Sequence, residues 1–375
     1  MSLLHIPADT VRRQIELILR AWGMRDDLVA QSAEVMTQTD LSGIDSHGIS
    51  MLIMYEQMRR AGQINLDAVP KIVRRTASTA LIDADAGLGH PAALMAMELA
   101  MEMARAQGIG WVSVFNSHHF GAAGHYVEMA ARENLIGLVA SSTRVVNVVP
   151  TFGTLPVLGT NPIAIAAPAG RNPAVVLDMS TSVVAANKVK IFAFNDTPVP
   201  AGWVTDAEGQ SVTDPKAAYR VLFEDREGGL SAVGGTGKEL GGHKGYGLGL
   251  FAQILGSTLS GGAFSPIRNL TQKRSDPDNI GHCFMALDPA AFRPLEQFHA
   301  DMDALVDTLH DTPAAQIDHP VLVPGDPERR ARAERLAEGI PMSPGLAGEI
   351  ARIAAEAGAP FILDRVPVAT HEIHA

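Results

Sequence analysis

A chain of 375 residues with 46% hydrophobic content can bury a large core and is long enough to divide into two structural domains. Its formal net charge of −11 disfavours general binding to phosphate backbones, so no nucleic-acid partner is expected. The single cysteine, Cys283, excludes an internal disulfide framework and a thiolate metal cluster built from this chain alone, which fits the cytoplasm.

The N-terminal helix is read from Val11, Ile15, Ile18, Leu19 and Trp22, which fall at helical spacing ahead of a Gly23 cap. Asp9, Arg12, Arg13 and Glu16 lie where a secretory signal would carry its apolar run, so no export signal is read. A second helix over residues 26–41 stops at Gly43, and a third is predicted over residues 47–61, before Gly62. A strand at residues 79–83, a helix at 91–106 and a strand at 109–116 then predict a strand-helix-strand unit. Further β-rich segments at 135–141, 163–168 and 174–177 predict a mixed or largely parallel sheet. Apolar runs such as residues 247–255 carry Gly and Gln and fall short of the ~20 residues a membrane span needs, so no membrane partner is expected. Helical patterns return at 295–309, 327–338 and 344–357, and these are expected to pack with the N-terminal helices as a discontinuous helical domain. Residues 223–242 are Gly-rich and weakly patterned, with the character of a lid, and residues 360–375 read as an arm for a second subunit.

Several polar segments carry the functional reading. Ser46 is a candidate N-cap for the third helix, which puts His47 in its first turn, with Met51 and Tyr55 at four-residue steps on the same face. The plain alternative is a capping serine beside a surface histidine. Residues 116–121 (NSHHFG) follow a strand, where loops at sheet ends commonly hold ligands, and His119 is the second candidate histidine. A metal site built from His118, His119 and His125 matches no known spacing, and adjacent histidines on a strand point to opposite faces. Residues 87–92 (GLGHPA) have the shape of a dinucleotide fingerprint, yet the next strand ends in Phe115 and Asn116 with no carboxylate. They are read as a tight turn with close helix packing. Turns at 159–162 (GTNP) and 178–182 (DMSTS) offer hydroxyl and carboxylate groups suited to ribose and phosphate, or simply turn chemistry. Residues 241–247 (GGHKGYG), placed ahead of a helix near Leu248, would let backbone and Lys244 approach a phosphate together. The turn at 324–327 (PGDP) either caps the next helix or touches a ligand.

Taken in order, DSHG, NSHHFGAAG, GTNP, DMSTS, GGHKGYG and PGDPE resemble the signature blocks of the malate/L-lactate dehydrogenase family, also known as the sulfolactate dehydrogenase-like enzymes. The resemblance implies an α/β fold with a non-Rossmann, mixed-sheet NAD(P)-binding domain, here over 76–287, and a discontinuous helical domain, here over 1–75 and 288–375. It further implies a homodimer with active sites near the subunit interface. Family activities include oxidation of malate, lactate, sulfolactate and ureidoglycolate, and reduction of diketogulonate and cyclic imino acids. By position, His47 matches the family's proton donor, with Ser46 as its relay, and His119 matches a histidine assigned as proton acceptor in some members. His119, Phe120, Gly121, Ala122 and Ala123, then Thr160, Asp178, Met179, Ser180, Lys244, Pro324, Gly325 and Asp326 match cofactor or substrate contacts, Thr160 being taken for the substrate.

Two departures stand out. Many members carry Arg four residues after the first histidine, where it would grip a carboxylate bidentately, and this chain has Met51. An apolar substrate tail is then expected, or a carboxylate held by another cation such as Arg144. The stretch before the Lys244 block is also longer than the family pattern. The expected reaction is hydride exchange between a nicotinamide cofactor, NAD in preference to NADP, and a small 2-hydroxy or 2-oxo acid. His47 moves the proton, His119 orients the substrate oxygen or the nicotinamide, and Tyr55 lines the pocket. A helix N-terminus disfavours the imidazolium form of His47 and Asp45 favours it, so its pKa stays open. The rival class is a hydrolase using Ser46 with a histidine and Asp178. It lacks the G-x-S-x-G elbow, and adjacent Ser46 and His47 look poorly placed for a direct bond.

Overall fold

The computed structural model describes residues 3–225, 227–316 and 318–364. They form two compact units, one drawn from the residues up to Asp67 together with those from Gly325 onward, the other from Ala68–Pro324.

The first unit is built from both chain ends. Helix Ala8–Ala21 buries Val11, Ile15, Ile18 and Leu19 on one face and ends before Gly23, whose φ of 89° makes the left-handed cap that the sequence predicts. Helices Asp26–Leu41, Leu52–Arg60, Asp326–Glu338 and Pro344–Ala357 complete it. A short antiparallel pair, Leu4–Ile6 with Ile340–Met342, ties the ends together. Gln14, fully buried, adds a second tie by donating to the Pro360 carbonyl and accepting from the Ile362 N–H. Of the C-terminal arm, residues 365–375 lie outside the described residues, as does Arg226 in the long Gly-rich stretch.

The helix expected from residue 47 starts later. Residues 44–48 form turns and bends, Ile49–Met51 is a single 3-10 turn, and the α-helix proper runs Leu52–Arg60. Ser46 is therefore not its N-cap. The Ile49 N–H goes to the side chain of Asp40, so a carboxyl from the preceding helix supplies the cap that the serine was expected to give.

The second unit is organised on seven strands: β1 Lys71–Arg75, β2 Thr79–Asp83, β3 Ile109–Ser117, β4 Ile136–Ser141, β5 Ile163–Ala167, β6 Val175–Met179 and β7 Ile280–Leu287, in the order β1-β2-β3-β7-β4-β5-β6. Only β2 and β3 are parallel, joined by helix Gly89–Gln107, and every other pairing is antiparallel. The sheet is thus mixed, and the largely parallel alternative is excluded. The connecting helix turns Ala92, Ala93, Ala96, Ala100 and Ala104 into the core. Small side chains let it sit so close that a Cβ on Gly110 would lie 2.1 Å from the Ala100 carbonyl oxygen.

Helix Leu295–His310, grouped by sequence pattern with the terminal helices, lies in this second unit. Its Asp303 carboxylate accepts the backbone N–H groups of Gly170, Arg171 and Asn172, which binds it to the turn between β5 and β6. Residues 71–75, at the edge of the expected helical domain, are strand β1 of the sheet.

Candidate active site

In the first unit, Ser46 and His47 sit in the loop between helix Asp26–Leu41 and the 3-10 turn. Ser46 Oγ lies 2.7 Å from His47 Nδ1, so the direct bond that adjacency argued against does form, because this segment is a turn rather than a strand or helix. His47 keeps part of its ring surface accessible, and crowding around it pushes its pKa below the ordinary histidine value. Asp45, expected to favour the imidazolium, is paired instead with Arg335 from helix Asp326–Glu338. Burial is the cause of the downward shift at His47.

Met51 closes the 3-10 turn and is partly exposed. Tyr55, one helical turn on, has no accessible surface, so it belongs to the core of the helical unit rather than to an open pocket, and burial raises its pKa. Because the helix begins after His47, the shared face expected for residues 47, 51 and 55 is limited to 51 and 55. At the start of helix Asp326–Glu338, Gly325 holds the N-cap position with φ of 100° and no side-chain cap bond, while Asp326 in the first turn pairs with Arg329 at 2.5 Å.

In the second unit, segments far apart in sequence meet. Asp178, at the end of β6, accepts the Gly124 N–H at 2.7 Å, and a Cβ on Gly124 would come within 3.0 Å of that carboxylate. This bond joins DMSTS to the first turn of helix Ala123–Arg132, and so to the block His119, Phe120, Gly121, Ala122 and Ala123. Thr181 N–H donates to the Thr160 carbonyl at 2.8 Å, and its hydroxyl reaches the Thr160 and Asn161 carbonyls, which joins DMSTS to GTNP. Asn161 then donates through Nδ2 to the Gly249 carbonyl at 3.0 Å, fastening the Lys244 helix to the same place. Val176, two residues before Asp178, donates to the Pro324 carbonyl at 3.0 Å.

The helix carrying Lys244 runs Gly242–Gln253, so the glycine block is its first turns rather than a loop ahead of it. Glycine disfavours a helix interior, but packing overrides propensity: a Cβ on Gly245 would lie 2.1 Å from the Val233 carbonyl oxygen. Lys244 is exposed in the first turn, where its charge adds to the positive end of the helix dipole. Thr160, Met179 and Ser180 are partly exposed. A cation in the first turn of a helix whose Gly249 carbonyl is tied to the GTNP turn offers chemistry that suits a phosphate.

The His119 loop rests on a buried polar network. His118 is fully buried and its Nδ1 lies 3.4 Å from Asp278, whereas His119 is partly exposed; both follow the end of β3 at Ser117 rather than lying on the strand. His282 on β7 binds Ser141 Oγ at 2.7 Å through Nδ1, and through Nε2 lies 3.0 Å from Ser117 Oγ and 3.2 Å from the His118 carbonyl. Phe120 lies against the His282 ring at 4.4 Å between centroids, the planes tilted by 33°. Burial would raise the pKa of Asp278, but the His118 bond and the charges of Arg144 and Arg268 hold it below the ordinary carboxylate value. Arg144 pairs with Asp278 at 2.7 Å, which partly neutralises the cation considered for a substrate carboxylate. Gly121 N–H donates to His119 Nδ1 at 3.3 Å.

The Gly87–Ala92 segment is a packing device. Gly89 N–H donates to the His119 carbonyl at 3.0 Å, and a Cβ there would lie 2.4 Å from the His118 carbonyl oxygen. Among the described residues no three His, Cys, Asp or Glu side chains converge as a metal site, and no helix is long and apolar enough to cross a membrane. Sequence reasoning missed Asp40, Arg335, Asp278 and His282. Asp40 and Arg335 lie in the last turns of helices whose periodicity assigns them no role, and His282 lies inside the apolar strand β7.

Residues 6–351 match the family model described as malate/L-lactate dehydrogenase. The chain is 36% identical over 358 residues to a malate dehydrogenase of Pyrococcus abyssi, covering 95% of this chain and 96% of that protein. It is 36% identical over 342 residues to an L-sulfolactate dehydrogenase of Methanothermobacter thermautotrophicus, covering 91% and 94%. The crystal structure of malate dehydrogenase from Entamoeba histolytica superposes with a TM-score of 0.89 at 29% identity, covering 96% and 99%. The blocks that carry the resemblance thus extend to nearly the whole chain, and the protein belongs to the malate/L-lactate dehydrogenase family, as a dehydrogenase of 2-hydroxy acids.

Proposed function

We propose that the nicotinamide cofactor is held by Lys244 and the Asp178–Met179–Ser180 turn, with His119–Ala123 and Pro324–Asp326 as further contacts, that Thr160 serves the substrate, and that His47 moves the substrate proton. The observation that carries the cofactor assignment is the Asp178 to Gly124 bond, which together with the Thr181 and Asn161 bonds gathers four separate segments into one place. The bound cofactor supplies or takes the hydride. The protein's own groups do the rest. In the oxidation direction, Ser46 Oγ accepts from His47 Nδ1–H and Nε2 takes the hydroxyl proton, with the pKa lowered by burial favouring the neutral ring that can accept it. His119, whose Nδ1 accepts from Gly121, presents Nε2–H to the substrate oxygen or the nicotinamide carboxamide.

The hydrolase reading loses its third member, because the Asp178 carboxylate serves the Gly124 N–H at a helix start. NADH is favoured over NADPH, the protein is placed in the cytoplasm, and the working form is proposed to be a homodimer. Exposed Leu248, Phe251 and Ile254, three residues apart along the Lys244 helix and its continuation, support the last point; a fully active monomer by light scattering contradicts it. The cofactor assignment is tested by titrating NADH and NADPH into native protein and Lys244→Ala. Loss of one charge-assisted contact, about 1.5–3 kcal/mol, weakens binding roughly 10- to 100-fold. Unchanged affinity for both cofactors removes Lys244 from the site.

A further inference from the structure

The Ser46–His47 turn is held by a group that neither the signature blocks nor the reaction itself requires. Asp40, in the last turn of helix Asp26–Leu41, is 2% exposed, and its Oδ2 accepts the Ile49 N–H at 2.8 Å. Gly48 lies against the same carboxyl so closely that a Cβ there would fall 1.8 Å from Oδ1 and 2.1 Å from Cγ. Arg335 closes the arrangement from the other side, donating through Nη1 to the Asp40 carbonyl at 2.5 Å while pairing with the Asp45 carboxylate. One guanidinium therefore grips both ends of segment 40–45, and one carboxyl grips residues 48 and 49. Ser46 and His47 are the two residues between the grips.

From this geometry we propose that Asp40 is a positioning residue for His47, acting as the hydrogen-bond acceptor that fixes the backbone on which the imidazole is carried, with Gly48 required because the carboxyl occupies the volume of a side chain there. The proposal rests on the reading of His47 as the proton-transfer group. Asp40 acts through its oxygen rather than its charge. Burial, opposed by the Ile49 N–H and Arg335 and reinforced by Asp45, pushes its pKa up to about 8. The neutral acid therefore accounts for much of the population near neutral pH, and an uncharged oxygen still accepts from Ile49.

The variants Asp40→Ala, Asp40→Asn, Gly48→Ala and the double variant Asp40→Ala/Gly48→Ala separate this role from a general contribution to folding. For each, kcat and KM for a 2-oxo acid, NADH affinity by titration and the urea midpoint are measured. Misplacing a reacting group by about 1 Å costs up to ~100-fold. Asp40→Ala is thus expected to lower kcat roughly 10- to 100-fold with NADH affinity unchanged, and Asp40→Asn, which keeps an acceptor oxygen, to restore turnover to within about 3-fold of native. Gly48→Ala alone is expected to match the loss in Asp40→Ala, and to add little in the double variant, since the clashing carboxyl is gone.

Two results overturn the proposal. One is an Asn variant as impaired in kcat as the Ala variant, which makes the charge the essential feature. The other is losses at 40 and 48 that multiply, which makes the two residues independent. If Asp40→Ala fails to fold, the comparison of Asp40→Asn with native, and of Gly48→Ala with native, still decides. His47→Gln keeps the underlying reading separate: full turnover in that variant removes His47 from the chemistry. The His47 ring resonances, assigned by their absence in His47→Gln, must still move in Asp40→Ala and stay near native in Asp40→Asn if the positioning claim holds.

Discussion

The two histidine loops are supported in opposite ways. The His47 turn is held by two ionisable side chains, the Asp40 carboxyl and the Arg335 guanidinium, which reach it from two helices of the first unit. Around the His119 loop stand buried groups that stay neutral, His282 between Ser141 and Ser117, the Phe120 ring on His282 and the Tyr126 hydroxyl donating to the Phe120 carbonyl, beside one carboxylate, Asp278, against His118. A clamp that includes a carboxyl titrating at about 8 responds to pH near neutrality. A neutral buried network is rigid until acid protonates it. The difference suits a proton-moving group in one place and an orienting group in the other.

The largest expected effect breaks this division of labour. His47→Ala should lower turnover by roughly 100- to 10,000-fold while sparing cofactor affinity, as removal of a positioned proton-transfer group does. His119→Ala should cost less in turnover and more in substrate KM. Steady-state kinetics beside NADH titration reads both, and a larger kcat loss at His119 reverses the two assignments.

Met51→Arg comes next. A guanidinium on the partly exposed turn after His47 should favour substrates whose second carboxylate reaches it by about 1.5–3 kcal/mol, roughly 10- to 100-fold in kcat/KM. Native enzyme is expected to prefer 2-oxo acids with uncharged tails over oxaloacetate. A panel of 2-oxo acids, aldehydes and cyclic imines with both reduced cofactors measures this, and a strong native preference for oxaloacetate shows that position 51 does not set specificity.

The smallest effects sharpen the contrast between the supports. Burial holds His282 and His90 at about 3, against an ordinary 6.5 in the unfolded chain. A lowered histidine pKa means the unfolded state binds more protons, so this stability is present above 6.5 and drains away as pH falls toward 3. Asp40 runs the other way. Its raised pKa contributes stability that is full below the ordinary carboxylate range and is lost as pH rises through about 8. Urea midpoints across pH 4 to 9 should therefore show a weaker acid decline in His282→Gln and a weaker alkaline decline in Asp40→Asn. Parallel curves for native protein and both variants contradict the contrast.

Much of this protein was determined by sequence alone, wherever the cause is local. Apolar residues at helical spacing and glycines at 23 and 43 define the first helices and their ends, because amphipathic periodicity and left-handed caps are properties of a few consecutive residues. The blocks around His47, His119, Thr160, Asp178 and Lys244 were legible as polar, glycine-rich interruptions of that periodicity. Local signals failed where a distant partner outweighed them. Ser46 had the chemistry of a cap, yet Asp40 took the N–H it would have used. The glycines around Lys244 spoke for a loop, yet the Val233 backbone needed their bareness inside a helix. His282 lies on the central strand β7, and its partners Ser141 and Ser117 are 141 and 165 residues away. Arg335 meets Asp40 across 295 residues. Such pairings are settled by which buried polar groups must find partners once the chain is compact, and that accounting is closed only in the tertiary structure.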